Sequence, residues 1–341
     1  LGGLLVNYTL GGGNPNVVTL AGQSAGAMSV GLHLNAVPSS EALFDAAIMQ
    51  SNPLGLPYPS LADATSVGEL FMLSLGCQFR ADQLGCLRAK GLDEVLEAQR
   101  GRLLRLTVLD FGLAGFLTWT PVVDGQLVQR QPFAGSSDKP VLLGTNAREG
   151  TVFFGAPSAR PIGRLAYATF IRTLFGPENL GRVRREYPNT TDNTERVIEI
   201  AGDYLFTCAN RAFAGGLERA YLYAFEHVPS FNIYAELPRC AEESCHADEL
   251  AFVFHSAAPP RAFTEAEDML SRRMARYWGR FASGLHTPNP GMPTTPAWPP
   301  FGEAGEYLVL SETLELRADV PERCAFWDGL GYDLRLHERR D

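Results

Sequence analysis

No run of apolar residues in this sequence approaches the roughly 18 to 20 that a membrane-spanning helix needs, so no segment is expected to cross a bilayer. Runs rich in Lys and Arg are missing too, and the formal net charge over 341 residues is −9. Nucleic acid and anionic membrane surfaces are therefore unfavourable partners, because neither would find clustered cations. Internal repeats, low-complexity tracts and long Gly/Ser linkers are absent, which favours one continuous domain over residues 1–341. The first residue is Leu1, and the opening "LGGLLVNYTL" lacks the charged start, long apolar centre and small-residue cleavage site of a secretory leader. The expectation from that start is a truncated chain, in which a missing targeting signal carries no weight.

What is present is a hydrophobic fraction of 45%, enough for a large core. The six cysteines include two close pairs, Cys77/Cys86 and Cys240/Cys245. Close pairing suits local disulfides and an oxidising compartment, extracellular or periplasmic, and the sequons at Asn7 and Asn189 are compatible with one. Short apolar runs at 17–22, 46–51, 141–146, 221–227 and 306–310 read as buried strands. Between them, 60–76, 164–175, 194–217 and 264–283 carry apolar residues at helical spacing. Strands separated by helices imply an α/β fold, with a largely parallel sheet covered on both faces. The stretch 286–301, "HTPNPGMPTTPAWPPF", is too rich in proline for regular structure and should be an ordered surface loop leading to a final strand.

One stretch carries chemistry. "VVTLAGQSAGAMSVGLHL", residues 17–34, passes from a buried strand through Gly22-Gln23-Ser24-Ala25-Gly26 into a helix-favouring sequence. A sharp strand-to-helix turn would leave the Ser24 hydroxyl exposed at the sheet edge, and the free N–H groups of the following helix would point at a developing oxyanion. Side chains at Gly22 and Gly26 are expected to collide in such a turn. The pentad alone is a weak signal; the strand before it and the small residues after it strengthen it.

A nucleophilic hydroxyl needs a base, and the base needs an acid to fix its tautomer and stabilise the imidazolium. Glu149, in "VLLGTNAREGTVFF", lies just past a strand run, where an acid can reach the serine's edge of the sheet, although a solvated loop glutamate is the competing reading. Among six histidines, His246 in "CAEESCHADELAFVF" sits in a polar loop beyond the strand run 221–227. His227, His255 and His286 lie in or beside apolar runs or in the proline loop, His33 on the helix after the pentad, and His337 in a charged tail.

Taken together, "VTLAGQSAGAMSVGLHL", "TPVVDGQLV", "VLLGTNAREGTVFF", "CHADELAFVF" and "SRRMARYWGRFASGLHTPNP…WPPF…YLVL" resemble the type-B carboxylesterase/lipase family, which includes the cholinesterases. The resemblance covers essentially the whole chain in the family's order. It implies an α/β-hydrolase fold with a mostly parallel central sheet, and a Ser-Glu-His triad of Ser24, Glu149 and His246. Ala25 would supply one oxyanion-hole N–H, and Ser51 matches a position the family often keeps near the triad, as a hydrogen-bonding residue behind it or as a structural serine at a strand end. "LGCQFRADQLGCLRAK" resembles the family's small disulfide loop, so Cys77–Cys86 should be bonded; a second bridge, Cys240–Cys245, would stiffen the loop carrying the base. Cys208 and Cys324 are buried thiols or a long-range pair. No metal or organic cofactor is called for, and oligomeric state is not readable.

Three departures from the family pattern shape the expectation. Gln23 stands where cholinesterases and many esterases have Glu, removing a negative charge that would favour a cationic substrate. Cys245 and Ala247 flank His246 in place of a Gly-rich surround. Only 23 residues precede Ser24, so the early strands and a Gly-Gly stretch supplying other oxyanion donors are missing, and neither Gly2-Gly3 nor Gly11-Gly12-Gly13 replaces them. The expectation is the C-terminal part of an esterase of uncharged carboxylic esters, working through an acyl-enzyme. The alternative is a non-catalytic binding or adhesion protein of the same fold, or an inactive fragment.

Overall fold

The structure, a computed structural model, describes residues 14–99, 117–134, 137–156, 160–257, 262–289, 291, 295–302, 304–318 and 321–332. The Asn7 sequon, the glycines at 2–3 and 11–13, and His337 lie outside them. Among the described residues six strands form one sheet whose spatial order follows the sequence: β1 Thr19–Gln23, β2 Ala46–Gln50, β3 Val141–Asn146, β4 Ala220–Phe225, β5 Tyr307–Leu310 and β6 Glu315–Arg317. The first five are parallel and β6 returns antiparallel to β5. Parallel neighbours require crossovers, and helices supply them: α1 Ala25–Asn35, α2 Leu61–Ser74, α3 Arg164–Phe175, α4 Thr194–Ala201, α5 Cys208–Gly215, α6 Glu249–Val253, α7 Glu265–Arg280 and α8 Glu322–Leu330.

The strand sequences explain the layering. β2 and β3 read AAIMQ and VLLGTN and are buried at every position, as expected of strands covered on both faces. Alternation then sends Ala47, Met49, Leu143 and Leu222 to one face, where α1, α3, α4, α5 and α8 pack, and Ala46, Ile48, Leu142, Tyr221 and Tyr223 to the other, under α6 and α7. β1 is half-buried.

All five expected strands and all four helical stretches are present with boundaries shifted by a few residues. Residues 194–215 form one continuous helical run, but a wide turn of π-type hydrogen bonding, Gly202–Thr207, separates α4 from α5 and carries Tyr204 and Phe206 inward. β6 and α8 lie outside the expected elements: β6 has three residues, and α8 buries just Cys324 and Trp327, too little for a periodic signal. In the proline-rich stretch the described residues are irregular but anchored. Trp298 is fully buried, its indole N–H donating to the Leu222 carbonyl at 3.1 Å, and Asn289 brackets its backbone with two hydrogen bonds.

All six cysteines are bonded, as Cys77–Cys86, Cys240–Cys245 and Cys208–Cys324. His227 is committed to structure: its Nε2 meets Glu267 Oε1 at 3.2 Å, and Glu267 also accepts from the N–H and hydroxyl of Ser230 and from the Thr264 N–H. Burial alone would raise the Glu267 carboxyl, but these donors hold it down at about 2.

Candidate active site

Ser24 closes β1 in a left-handed backbone conformation, φ 54°, and its N–H donates to the Gln50 carbonyl at 2.9 Å while α1 begins at Ala25. A non-glycine residue held there stores strain of the kind found at working sites. A Cβ on Gly22 would lie 2.3 Å from the Gly26 carbonyl carbon and 2.7 Å from the Ala27 nitrogen, so the strand can meet the helix this closely with glycine alone at 22. The collision expected at Gly26 does not occur, because a Cβ there meets nothing within 4 Å. Gly22→Ala should therefore destabilise the fold by about 3 kcal/mol or more, since a backbone must move. Gly26→Ala, inside a helix, should be neutral or stabilising by up to about 1 kcal/mol. Urea denaturation of both variants checks the pair, and equal losses would contradict the geometry.

Ser24, Ser51 and Asn146 end three neighbouring strands at one edge of the sheet, and two loops descend on that edge. The first follows β3: Ala147 and Arg148 donate to the Phe225 and Ser244 carbonyls, placing Glu149 in the interior, 1% exposed. Its Oε1 accepts from the Asn146 N–H at 2.7 Å, and its Oε2 is hydrogen-bonded to Nδ1 of His246. The second loop, closed by Cys240–Cys245, carries His246, 5% exposed. The Tyr234 hydroxyl donates to the His246 carbonyl at 2.6 Å, and the rings of Phe153 and Phe206 pack at 5.3 and 5.4 Å from its imidazole. Ala247, where the family pattern favours glycine, sits at φ 72°, at a cost of about 1 kcal/mol. Arg148, Glu195, Arg239 and Glu243 form a chain of ion pairs that ties the two loops together, and the Asn146 amide adds a bond to the Cys245 carbonyl.

Burial pulls the His246 imidazole down, but the charge and hydrogen bond of Glu149, with Glu249 and Asp248 behind it, outweigh burial and raise it. Sequence reasoning missed those two acids. Glu249 is fully buried at the start of α6 and accepts from Asn146 Nδ2 at 2.7 Å and Gln50 Nε2 at 3.0 Å; burial and the Glu149 charge push it up to about 7. Asp248, pushed up to about 7 by burial, accepts from the Cys245 N–H at 2.7 Å. The signal was the run "HADEL" beside the base, but nothing in it says that both carboxyls turn inward.

Nε2 of His246 faces the Gln23 amide nitrogen at 3.2 Å, and among the described residues no hydrogen bond joins it to the Ser24 hydroxyl. Ser24 is half-buried and Ala25 exposed, with the N–H groups of the first turn of α1 outside the intrahelical ladder. Ser51 is fully buried at φ 50°, and its hydroxyl has no partner among the described residues, so it makes no hydrogen bond to the cluster. Among those residues no group of three or more His, Cys, Asp or Glu could hold a metal ion. What the site can do is acid–base chemistry at one ring nitrogen beside a strained, accessible serine.

A family model for the carboxylesterases matches residues 10–327. The chain belongs to the carboxylesterase family. Similar proteins include the crystal protein of Dictyostelium discoideum, 29% identical over 96% of this chain and 62% of that protein. Acetylcholinesterase of Bungarus fasciatus is 31% identical over 93% and 56%, and acylcarnitine hydrolase of Rattus norvegicus 31% over 93% and 58%. The solved structure of a PNB esterase superposes with a TM-score of 0.70 at 26% identity, covering 90% of this chain and 62% of that one. This carboxylesterase-family chain has the α/β-hydrolase fold and spans 56% to 62% of the lengths of these relatives.

Proposed function

We propose that this chain carries the nucleophile, acid and base of a carboxylic ester hydrolase. The observation that carries the reading is the relay at one sheet edge: Glu149 bonded to Nδ1 of His246, with the opposite nitrogen turned toward the strand end that bears Ser24. With the Nδ1 proton held by Glu149, Nε2 is the free base. Ser24 Oγ attacks the ester carbonyl and gives its proton to Nε2; the tetrahedral oxyanion takes a hydrogen bond from the N–H of Ala25. His246 returns the proton to the leaving alcohol, and water repeats the sequence on the acyl-enzyme. No metal or organic cofactor enters these steps.

Gln23 places no formal charge beside the nucleophile, so the substrates are uncharged small-molecule esters rather than choline esters. Three disulfides support an extracellular or periplasmic setting, and residues 1–341 act as one domain. A non-catalytic role is the rival reading, favoured by the match to a relative whose name, crystal protein, states no activity.

The test is hydrolysis of p-nitrophenyl acetate and butyrate with fluorophosphonate labelling mapped by mass spectrometry, on wild type and Ser24→Ala. Because the chain spans less than two thirds of its relatives, both forms are also assayed joined to the N-terminal portion of a family member. Label on Ser24 and turnover lost in Ser24→Ala are the expected results. A folded chimera with neither label nor turnover would leave the binding role.

A further inference from the structure

Both nitrogens of the His246 ring are engaged. Nδ1 is bonded to Glu149, and Nε2, the atom that must accept the Ser24 proton, lies 3.2 Å from the amide nitrogen of Gln23. Gln23 pairs in register with Gln50, and the two carboxamides at adjoining strand ends reach the same loop, one meeting His246 and the other Glu249. With its Nδ1 proton held by Glu149, neutral His246 offers Nε2 as a lone pair, so the Gln23 NH₂ donates to it. A carboxylate at position 23 could not donate; it would accept from Nε2–H and favour the imidazolium.

We propose that Gln23 is a positioning residue that holds the base in its neutral resting form, donating to Nε2 of His246 in competition with the Ser24 hydroxyl and thereby setting the pH range in which the base acts. This deepens the esterase reading and rests on it for the role of His246. The groups facing the ring from neighbouring elements are Glu149 after β3, Asp248 and Glu249 at α6, and the uncharged rings of Phe153 and Phe206. All three carboxyls favour the imidazolium; Gln23 opposes them, because a hydrogen bond to the neutral form lowers a base's pKa.

The experiment follows the ring nitrogens of ¹⁵N-histidine-labelled protein by NMR against pH, in the 341-residue chain, Gln23→Glu and Gln23→Met, with fluorophosphonate labelling of Ser24 measured in parallel. Wild type should show the Nδ1–H tautomer. Gln23→Glu should raise the His246 midpoint by about one unit and slow labelling about tenfold at pH values below both midpoints, since one unit is a tenfold change in neutral base. Gln23→Met, which fills similar space without donor or charge, should raise the midpoint by a smaller amount. A folded Gln23→Glu whose midpoint stays within about 0.3 unit of wild type overturns the proposal, as does a wild-type ring carrying its proton on Nε2. Should Gln23→Glu fail to fold, an unchanged midpoint in Gln23→Met overturns it. The titration needs no turnover: shifted midpoints leave the Gln23 contact standing even where neither this chain nor the folded chimera labels, the result that sinks the esterase reading, whereas normal labelling with unshifted midpoints does the reverse.

Discussion

Glu149→Gln should lower kcat about 10⁴-fold, the loss expected when a triad histidine is held in the wrong tautomer. The geometry forces that tautomer. Glu149 accepts on both oxygens, from the Asn146 N–H on Oε1 and from Nδ1 of His246 on Oε2. A glutamine has one acceptor oxygen. If it satisfies the buried Asn146 N–H, its NH₂ faces Nδ1, which must give up its proton and leave Nε2 protonated and useless as a base. Turning the amide over would restore Nδ1–H but leave two buried N–H groups opposed, so the first arrangement is preferred. The substitution also removes a charge beside Glu249, whose upward shift owes part of its size to Glu149, so Glu249 should return toward its ordinary range and the fold should lose little stability. Steady-state kinetics on p-nitrophenyl butyrate with parallel urea denaturation checks this. A loss under about tenfold with an intact fold would mean that Glu149 does not set the tautomer.

Much of this architecture is legible in the chain because buried parallel strands announce themselves: AAIMQ and VLLGTN have no polar alternation, which a strand covered on both faces does not need. The positions of Ser24 just after β1 and Glu149 just after β3 are legible for the same reason, since each follows an apolar run, and His246 lies in the polar loop beyond β4. What escapes is whatever depends on partners far away in sequence. Gln23 stands out as a departure from the family pattern, yet its contact is with a ring 223 positions on. Asp248 and Glu249 look like solvated helix-start acids until the Gln50 and Asn146 amides and the Cys245 N–H are seen to reach them. Of the collisions expected at Gly22 and Gly26, the one at Gly22 alone occurs, because the crowding is one-sided: the strand's Cβ position points at the helix backbone, while the helix's Cβ position points away.

Replacing Cys208 and Cys324 together by Ala should cost about 4 to 5 kcal/mol of folding stability, since the bond closes a loop of 116 residues and the chain-entropy contribution grows with loop length. Both residues are fully buried, and the bond fixes α8 against α5. α8 brings Trp327 into a nest of rings, 4.8 Å from Tyr204, 5.2 Å from Phe175 and 5.8 Å from Tyr187, with its indole N–H donating to the Tyr187 hydroxyl at 2.8 Å. Tyr204 lies in the wide turn Gly202–Thr207, and so does Phe206, which packs against His246. Loosening α8 therefore reaches the base through that turn. The base loop keeps its own anchors in Cys240–Cys245, the Tyr234 hydroxyl and Glu149, so turnover well below the melting transition should change little while the transition itself drops. Guanidinium denaturation of the double variant, alongside turnover in moderate cold, separates the two effects. A stability loss below about 1 kcal/mol would mean that the aromatic nest holds α8 without the bond. A loss of turnover as large as that of Glu149→Gln would instead mean that the wide turn, and not the base loop's own anchors, sets the orientation of His246.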